Sequence, residues 1–129
     1  MSTLNAYKTS GIEDWGGVIS DDFKNFARLY KNMLNRICKK NGWKLVNFNR
    51  GHYYCSWFIK KDEDKFIYMS FSDVRHFAKE WYRIILYRTA KHERDYTGGS
   101  NWYTDLENME RDLQRMFARM TFQKIGIES

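Results

Sequence analysis

The residues best placed for chemistry lie in one stretch, Leu86-Tyr87-Arg88-Thr89-Ala90-Lys91-His92-Glu93-Arg94-Asp95-Tyr96-Thr97-Gly98-Gly99-Ser100-Asn101. An apolar run passes through a dense cationic cluster into a Gly-Gly loop. Gly98 and Gly99 tolerate positive φ, so consecutive N–H groups there can converge on an anion. A helix expected to begin near Tyr103 would add the positive end of its dipole. Arg88, Lys91, His92 and Arg94 flank the loop, so a phosphate or a carboxylate is the ligand that this arrangement suits. The plainer alternative is a chain reversal, with Asp95 and Asn101 closing side-chain-to-backbone turns. The loop lacks both GxxxxGK[ST] and GxGxxG, which removes support for nucleotide binding of the P-loop or dinucleotide kind.

Two further groups of residues bear on binding. Lys24, Arg28, Lys31 and Lys39 fall within about a quarter of a helical wheel at about 100° per residue. Tyr54, Phe58, Phe66 and Tyr68 share one side of a β meander. Exposed rings beside Lys60 would stack on bases or form a protein interface, whereas covered rings are core. Charge agrees with the two basic patches. The net charge is +6. Residues 20–42 carry six Lys/Arg against two Asp, and residues 74–103 carry six against three acids. Nucleic acid or an acidic protein surface is the natural partner of such patches.

Catalysis has little to stand on. His52, His76 and His92 are scattered, there is no GxSxG, and Cys38 and Cys55 lack a partner motif. His92, Asp95 and Tyr96 are the one constellation that could be assembled, and only convergence in space would give it meaning. No CxxC and no His pair at ligand spacing occurs, so neither a metal nor a cofactor is expected. Two thiols in a chain of 129 residues read as reduced core residues of an intracellular protein. The first residues lack a charged-then-apolar signal pattern, and the expectation is a cytoplasmic protein. The longest apolar runs are far too short to span a bilayer.

The elements that must position these residues follow from periodicity. Residues 1–19, with Gly11, Gly16 and Gly17, read as an irregular arm. Ser20 is a candidate N-cap, followed by Asp21 and Asp22 in a first turn that favours acids. Phe23, Phe26, Ala27, Tyr30, Met33, Leu34 and Ile37 then recur at helical spacing, and Gly42 suits the position that ends a helix. Residues 43–72 read as three strands. Lys44, Val46 and Phe48 alternate with Trp43, Leu45 and Asn47, with a turn at Asn49-Arg50-Gly51 and a charged hairpin tip at Lys61-Asp62-Glu63-Asp64. Tyr53, Trp57, Ile59, Ile67, Met69 and Phe71 share the face opposite Tyr54, Phe58, Phe66 and Tyr68.

Residues 73–81 have helical spacing and residues 83–90 strand character; one long helix over 73–93 is the competing assignment. Thr104-x-x-Glu107 reads as a capping box for a last helix, with Leu106, Met109, Leu113, Met116, Phe117 and Met120 as its buried stripe. The order α-β-β-β-(short α)-β-α predicts an α+β fold: an antiparallel four-stranded sheet with two amphipathic helices in a single domain over 20–122, and a tail over 123–129. Double-stranded-RNA-binding domains share this order of elements, without their basic loop motifs here. There is no proline, so one common means of protecting a sheet edge is missing.

The segment Arg88–Asn101, together with Ser72-Asp73-Val74-Arg75 and Trp81-Tyr82, resembles a pattern in short uncharacterised proteins of phages and mobile elements of gut bacteria. The likeness covers about residues 66–105. It implies a small protein that acts by binding, with anti-CRISPR inhibitors as one such class, and a host protein or ribonucleoprotein such as a CRISPR nuclease as partner. The basic charge departs from the acidic, DNA-mimicking type. The residues expected to make contact are Arg88, Lys91, His92, Arg94, Asp95, Tyr96, Gly98 and Gly99 in the loop, and Lys24, Arg28, Lys31 and Lys39 on the helix. Direct nucleic-acid binding through the basic helix and the aromatic sheet face is the alternative from a different class.

Overall fold

The computed structural model describes residues 21–51, 54–71 and 85–122. The proposed arm, Ser20, His52, Tyr53, the expected helical turn over 73–81 and the tail after residue 122 lie outside them. Helix α1 spans Asp21–Asn41. Strands β1 (Lys44–Arg50), β2 (Cys55–Asp62), β3 (Lys65–Phe71), β4 (Ile85–Ala90) and β5 (Trp102–Thr104) follow, and helix α2 spans Met109–Phe122. The fold is α+β, with five strands in the simple antiparallel order β1-β2-β3-β4-β5.

The fifth strand corrects the expected four. Three residues are too few to show an alternation, and their identity as a strand comes only from pairing with β4: Tyr87 with Trp102, Leu86 with Tyr103, Ile85 with Thr104. The strand over 85–90 also decides against one helix over 73–93.

Helix α1 forms where its apolar stripe demands. Phe26, Ala27, Tyr30, Met33, Leu34 and Cys38 are buried, Ile37 is half-buried against them, and the other intervening positions face solvent. It ends as Gly42 predicts. Gly42 takes φ 74°, its N–H donates to Lys39 O, and Trp43 N–H donates to Cys38 O at 2.8 Å. This is the paired-bond termination that a left-handed residue after a helix allows.

Both helices cover one face of the sheet. Cys55, Trp57, Ile59, Ile67, Met69, Phe71, Ile85 and Tyr87 meet the α1 stripe and Leu106, Met109, Leu113, Met116 and Phe117 from the α2 side. Aromatic edges fill this core. Tyr30 meets Trp57 at 5.2 Å and Phe71 at 5.4 Å between centroids, and Trp43 packs on Phe117 at 5.2 Å. Such pairs add about 1 kcal/mol each beyond burial. Polar ties join the helices: Asn41 Nδ2 donates to Glu110 Oε2, Gln114 Nε2 donates to Asn41 Oδ1, and Lys40 pairs with Glu110 at 3.3 Å.

Strict alternation fails in β1. Val46 sits opposite Phe58, yet Phe48 stacks on Trp57 on the helix side, so Val46 and Phe48 do not share a face. The cause is a bulge between Val46 and Asn49 with Asn47 at φ 51°. One extra residue flips the parity of everything after it.

The start of α2 also differs from expectation. Thr104 closes β5, and its hydroxyl donates to Asp112 Oδ2 at 2.6 Å rather than capping the helix. Asp105 takes that role. Its carboxylate accepts the Asn108 N–H at 2.8 Å, and a turn over residues 106–108 leads into Met109.

Candidate functional site: the loop between β4 and β5

The second face of the sheet carries Val46, Phe58, Phe66, Tyr68 and Ala90 as a smaller cluster. Residues 91–101 cross this face. Glu93 O accepts from Asn47 Nδ2 of β1 at 2.6 Å, which anchors the loop three strands away from its origin. Tyr96 then lays its ring against Phe58 at 5.3 Å and Tyr68 at 5.8 Å, both edge to face.

Arg88 is the brace. Its guanidinium lies 4.4 Å from the Tyr68 ring centroid, while Nη2 donates to Tyr96 O and Nη1 to Asn101 Oδ1, each at 3.3 Å. Asp95 is the second fixture and is 9% exposed. Its Oδ2 accepts the Lys91 N–H, and Oδ1 accepts both the Thr97 N–H and the Thr97 hydroxyl. The hydroxyl bond contributes most to holding the carboxyl at about 2, well below the usual carboxylate range; the two backbone N–H bonds and His92 reinforce it against burial.

Arg88 and Asp95, both expected to touch a partner, are hydrogen-bonded within the loop itself, Asp95 closing the side-chain-to-backbone turn that was the plainer alternative. Lys91, His92, Arg94 and Tyr96 are exposed on the scaffold they create, Tyr96 at 52%. His92 Nδ1 accepts the Arg94 N–H at 3.2 Å. Asp95 N–H donates to His92 O at 3.2 Å, a backbone bond, and among the described residues no side-chain hydrogen bond links His92, Asp95 and Tyr96 to one another. Gly98 and Gly99 are exposed and neither has positive φ, since Gly42 and Asn47 alone do among the described residues. The converging N–H cradle expected there is therefore absent, and the chain runs on into β5. The helix expected to reinforce it starts at Met109, one strand later.

A cleft of about 820 Å³ opens beside the loop, lined by Asp64, Lys65, Thr89, Lys91, Asp95 and Met120 among others. Within it Lys65 Nζ pairs with Asp62 at 3.2 Å and with Asp64 at 3.3 Å. Among the described residues no cluster of His, Cys, Asp and Glu could hold a metal ion. Cys38 and Cys55 are both free and buried, and burial pushes each thiol up to about 12.

The helix patch lies elsewhere. Lys24, Arg28, Lys31 and Lys39 are all exposed on α1, on the opposite side of the sheet from the loop. Lys31 reaches over Phe48 at 5.8 Å. The rings expected to stack are divided: Phe58 and Phe66 are 0% and 4% exposed and offer no open face, Tyr68 is half-buried under Arg88, and Tyr54 is exposed beside Gly51. Sequence reading missed Asn47 as a loop anchor and Trp102 and Tyr103 as exposed aromatics, and Asn101, expected to close a side-chain-to-backbone turn, accepts from Arg88 Nη1. An Asn within a strand pattern and two adjacent aromatics after Gly-Gly were the available signals.

No protein-family model, curated protein or solved structure matches the chain. No helix of the described residues is long and apolar enough to cross a membrane.

Proposed function

We propose that this is a small non-enzymatic binding protein, from a phage or mobile element, that inhibits or modulates a host defence protein or ribonucleoprotein such as a CRISPR nuclease, with the β4–β5 loop as its contact surface. The observation that carries the reading is the division of labour in that loop. Arg88, Asp95 and Asn47 hold its shape, while Lys91, His92, Arg94 and Tyr96 face solvent. A braced loop loses little conformational entropy on binding, and an anchored tyrosine among cations suits a partner with an anionic rim. The host-defence setting rests on the likeness of residues 88–101 to mobile-element proteins.

The test is capture of a purified CRISPR nuclease with its guide RNA. Lys91→Glu/Arg94→Glu with Tyr96→Ala should weaken capture at least tenfold; the two charge reversals alone should leave the thermal midpoint nearly unchanged, whereas Tyr96→Ala also gives up the ring contacts with Phe58 and Tyr68 and lowers it. Unchanged capture by the triple variant would refute the loop as the contact. A second reading, direct binding to nucleic acid, draws on the four exposed cations of α1. It predicts affinity that falls steeply between about 50 and about 200 mM salt, as phosphate contacts release counterions, and that is lost in Lys24→Glu/Arg28→Glu/Lys31→Glu.

A further inference from the structure

The two edges of the sheet are not treated alike. At β1 the bulge at Asn47 breaks the line of backbone groups, and that residue's side chain is tied to Glu93 O. Bulged and charged edges resist pairing with another chain. At the other edge, β5 pairs with β4 without a register shift. Trp102 is 44% and Tyr103 62% exposed, on opposite faces of the strand. Every residue from 96 to 103 is exposed, no β-carbon added at Gly98 or Gly99 would meet another atom within 4 Å, and no turn interrupts residues 96–101. An open stretch of chain therefore leads into a strand that, among the described residues, is paired on one side only.

The charge around this edge is one-sided. The nearby acids are engaged within the protein: Asp95 by Lys91 and Thr97, Asp105 by Asn108, Asp112 by Thr104 and Arg111, Glu110 by Lys40 and Asn41. The cations are not. Arg119 lies 4.9 Å from the Trp102 ring centroid. Arg115 stands one helical turn before it, and both side chains are exposed. Among the described residues, Arg115 and Arg119 make no ion pair.

We propose that β5 is a docking edge for an extended peptide segment with acidic side chains, which adds as a sixth strand. Its backbone would complete the open hydrogen bonds of β5, and alternate side chains would fall on the Trp102–Arg119 side and the Tyr103 side. A second copy of this chain is the wrong occupant, because pairing β5 with itself sets Arg115 and Arg119 against their own copies in a protein of net charge +6. The inference stands on a different element from the loop cations and does not need them to bind.

The experiment measures fluorescence polarisation of a labelled ten-residue peptide of alternating Glu and Val against the full chain, at low and at physiological salt. Three comparisons accompany it: the Lys-Val counterpart, the Glu-Val peptide N-methylated at alternate residues so that one edge cannot pair, and amide exchange across residues 102–104. Binding of the acidic peptide, at least tenfold weaker on N-methylation and again in Arg115→Glu/Arg119→Glu, with slowed exchange at 102–104, is the expected result. No binding up to millimolar peptide, equal binding of the N-methylated form, or loss only in Lys91→Glu/Arg94→Glu would overturn the edge. So would a dimer in solution with those amides already protected, while leaving the loop reading intact.

Discussion

Replacing Arg88 by Ala should loosen the β4–β5 loop and cost the protein about 1–2 kcal/mol. A cation over a half-buried tyrosine ring contributes about 1 kcal/mol. The two bonds from Nη1 and Nη2 are long at 3.3 Å and end on exposed acceptors, so about 0.5–1 kcal/mol each is reasonable. Against this, the Arg88 Nε–H is buried without a partner, which costs about 1 kcal/mol. The net lowers the thermal midpoint by roughly 4–7 °C for a chain of this size. Urea unfolding gives the free energy, and amide exchange gives its location: residues 91–101 should exchange faster while β2 and β3 keep their protection. Arg88→Lys keeps a cation near Tyr68 but loses the planar fork, so about half the loss should return. A double-mutant cycle with Tyr68→Leu should show a coupling of about 1 kcal/mol. A change below about 0.5 kcal/mol in Arg88→Ala, or full recovery by Lys, would refute the brace.

Three further outcomes are expected. Gly51→Ala sets a β-carbon 2.1 Å from the Tyr54 ring, whose exposed end must swing away; a loss of about 1 kcal/mol relieved by Tyr54→Ala, beside near-neutral Gly98→Ala and Gly99→Ala, is the pattern to look for in denaturant melts. Asp95 has its carboxyl lowered in the folded state, so the stability it lends is present above its ordinary value near 4 and drains away as pH falls towards about 2. In Asp95→Asn, thermal midpoints measured from pH 5 to about 2 should lose that part of the acid slope. Finally, Cys38 and Cys55, buried and raised to about 12, should resist a thiol reagent in the native protein at neutral pH and react fully in denaturant.

Much of this architecture is legible in local pattern. A helix's stripe and its terminating glycine are properties of neighbouring residues, which is why Phe26 through Cys38 and Gly42 behave as their spacing implies. The period of two in β2 and β3 sorts Trp57, Ile59, Ile67 and Met69 from Phe58, Phe66 and Tyr68 in the same way. Alternation says which residues share a face, but not what covers that face. Phe58 looked available for stacking because the residue that meets it, Tyr96, is 38 positions away in the chain and reaches it only when the loop folds back across the sheet.

The site followed the same division. Composition placed the cations, glycines and aromatics of residues 88–101 together, and they are together. Whether each serves the fold or a partner depended on long-range geometry. Arg88 and Asp95 became internal fixtures because an open ring and three donors happened to lie within reach. Lys91 and Arg94 stayed outward. The bulge at Asn47 and the strand Trp102–Thr104 carry too few residues for any periodicity, so only pairing with β2 and β4 defined them. The sequence by itself determined the elements whose energy is local, namely the stripe and glycine termination of α1 and the alternation of β2 and β3. The tertiary structure alone decided the covered face, the parity of β1 and the open edge at β5, because those depend on contacts between segments that no local spacing encodes.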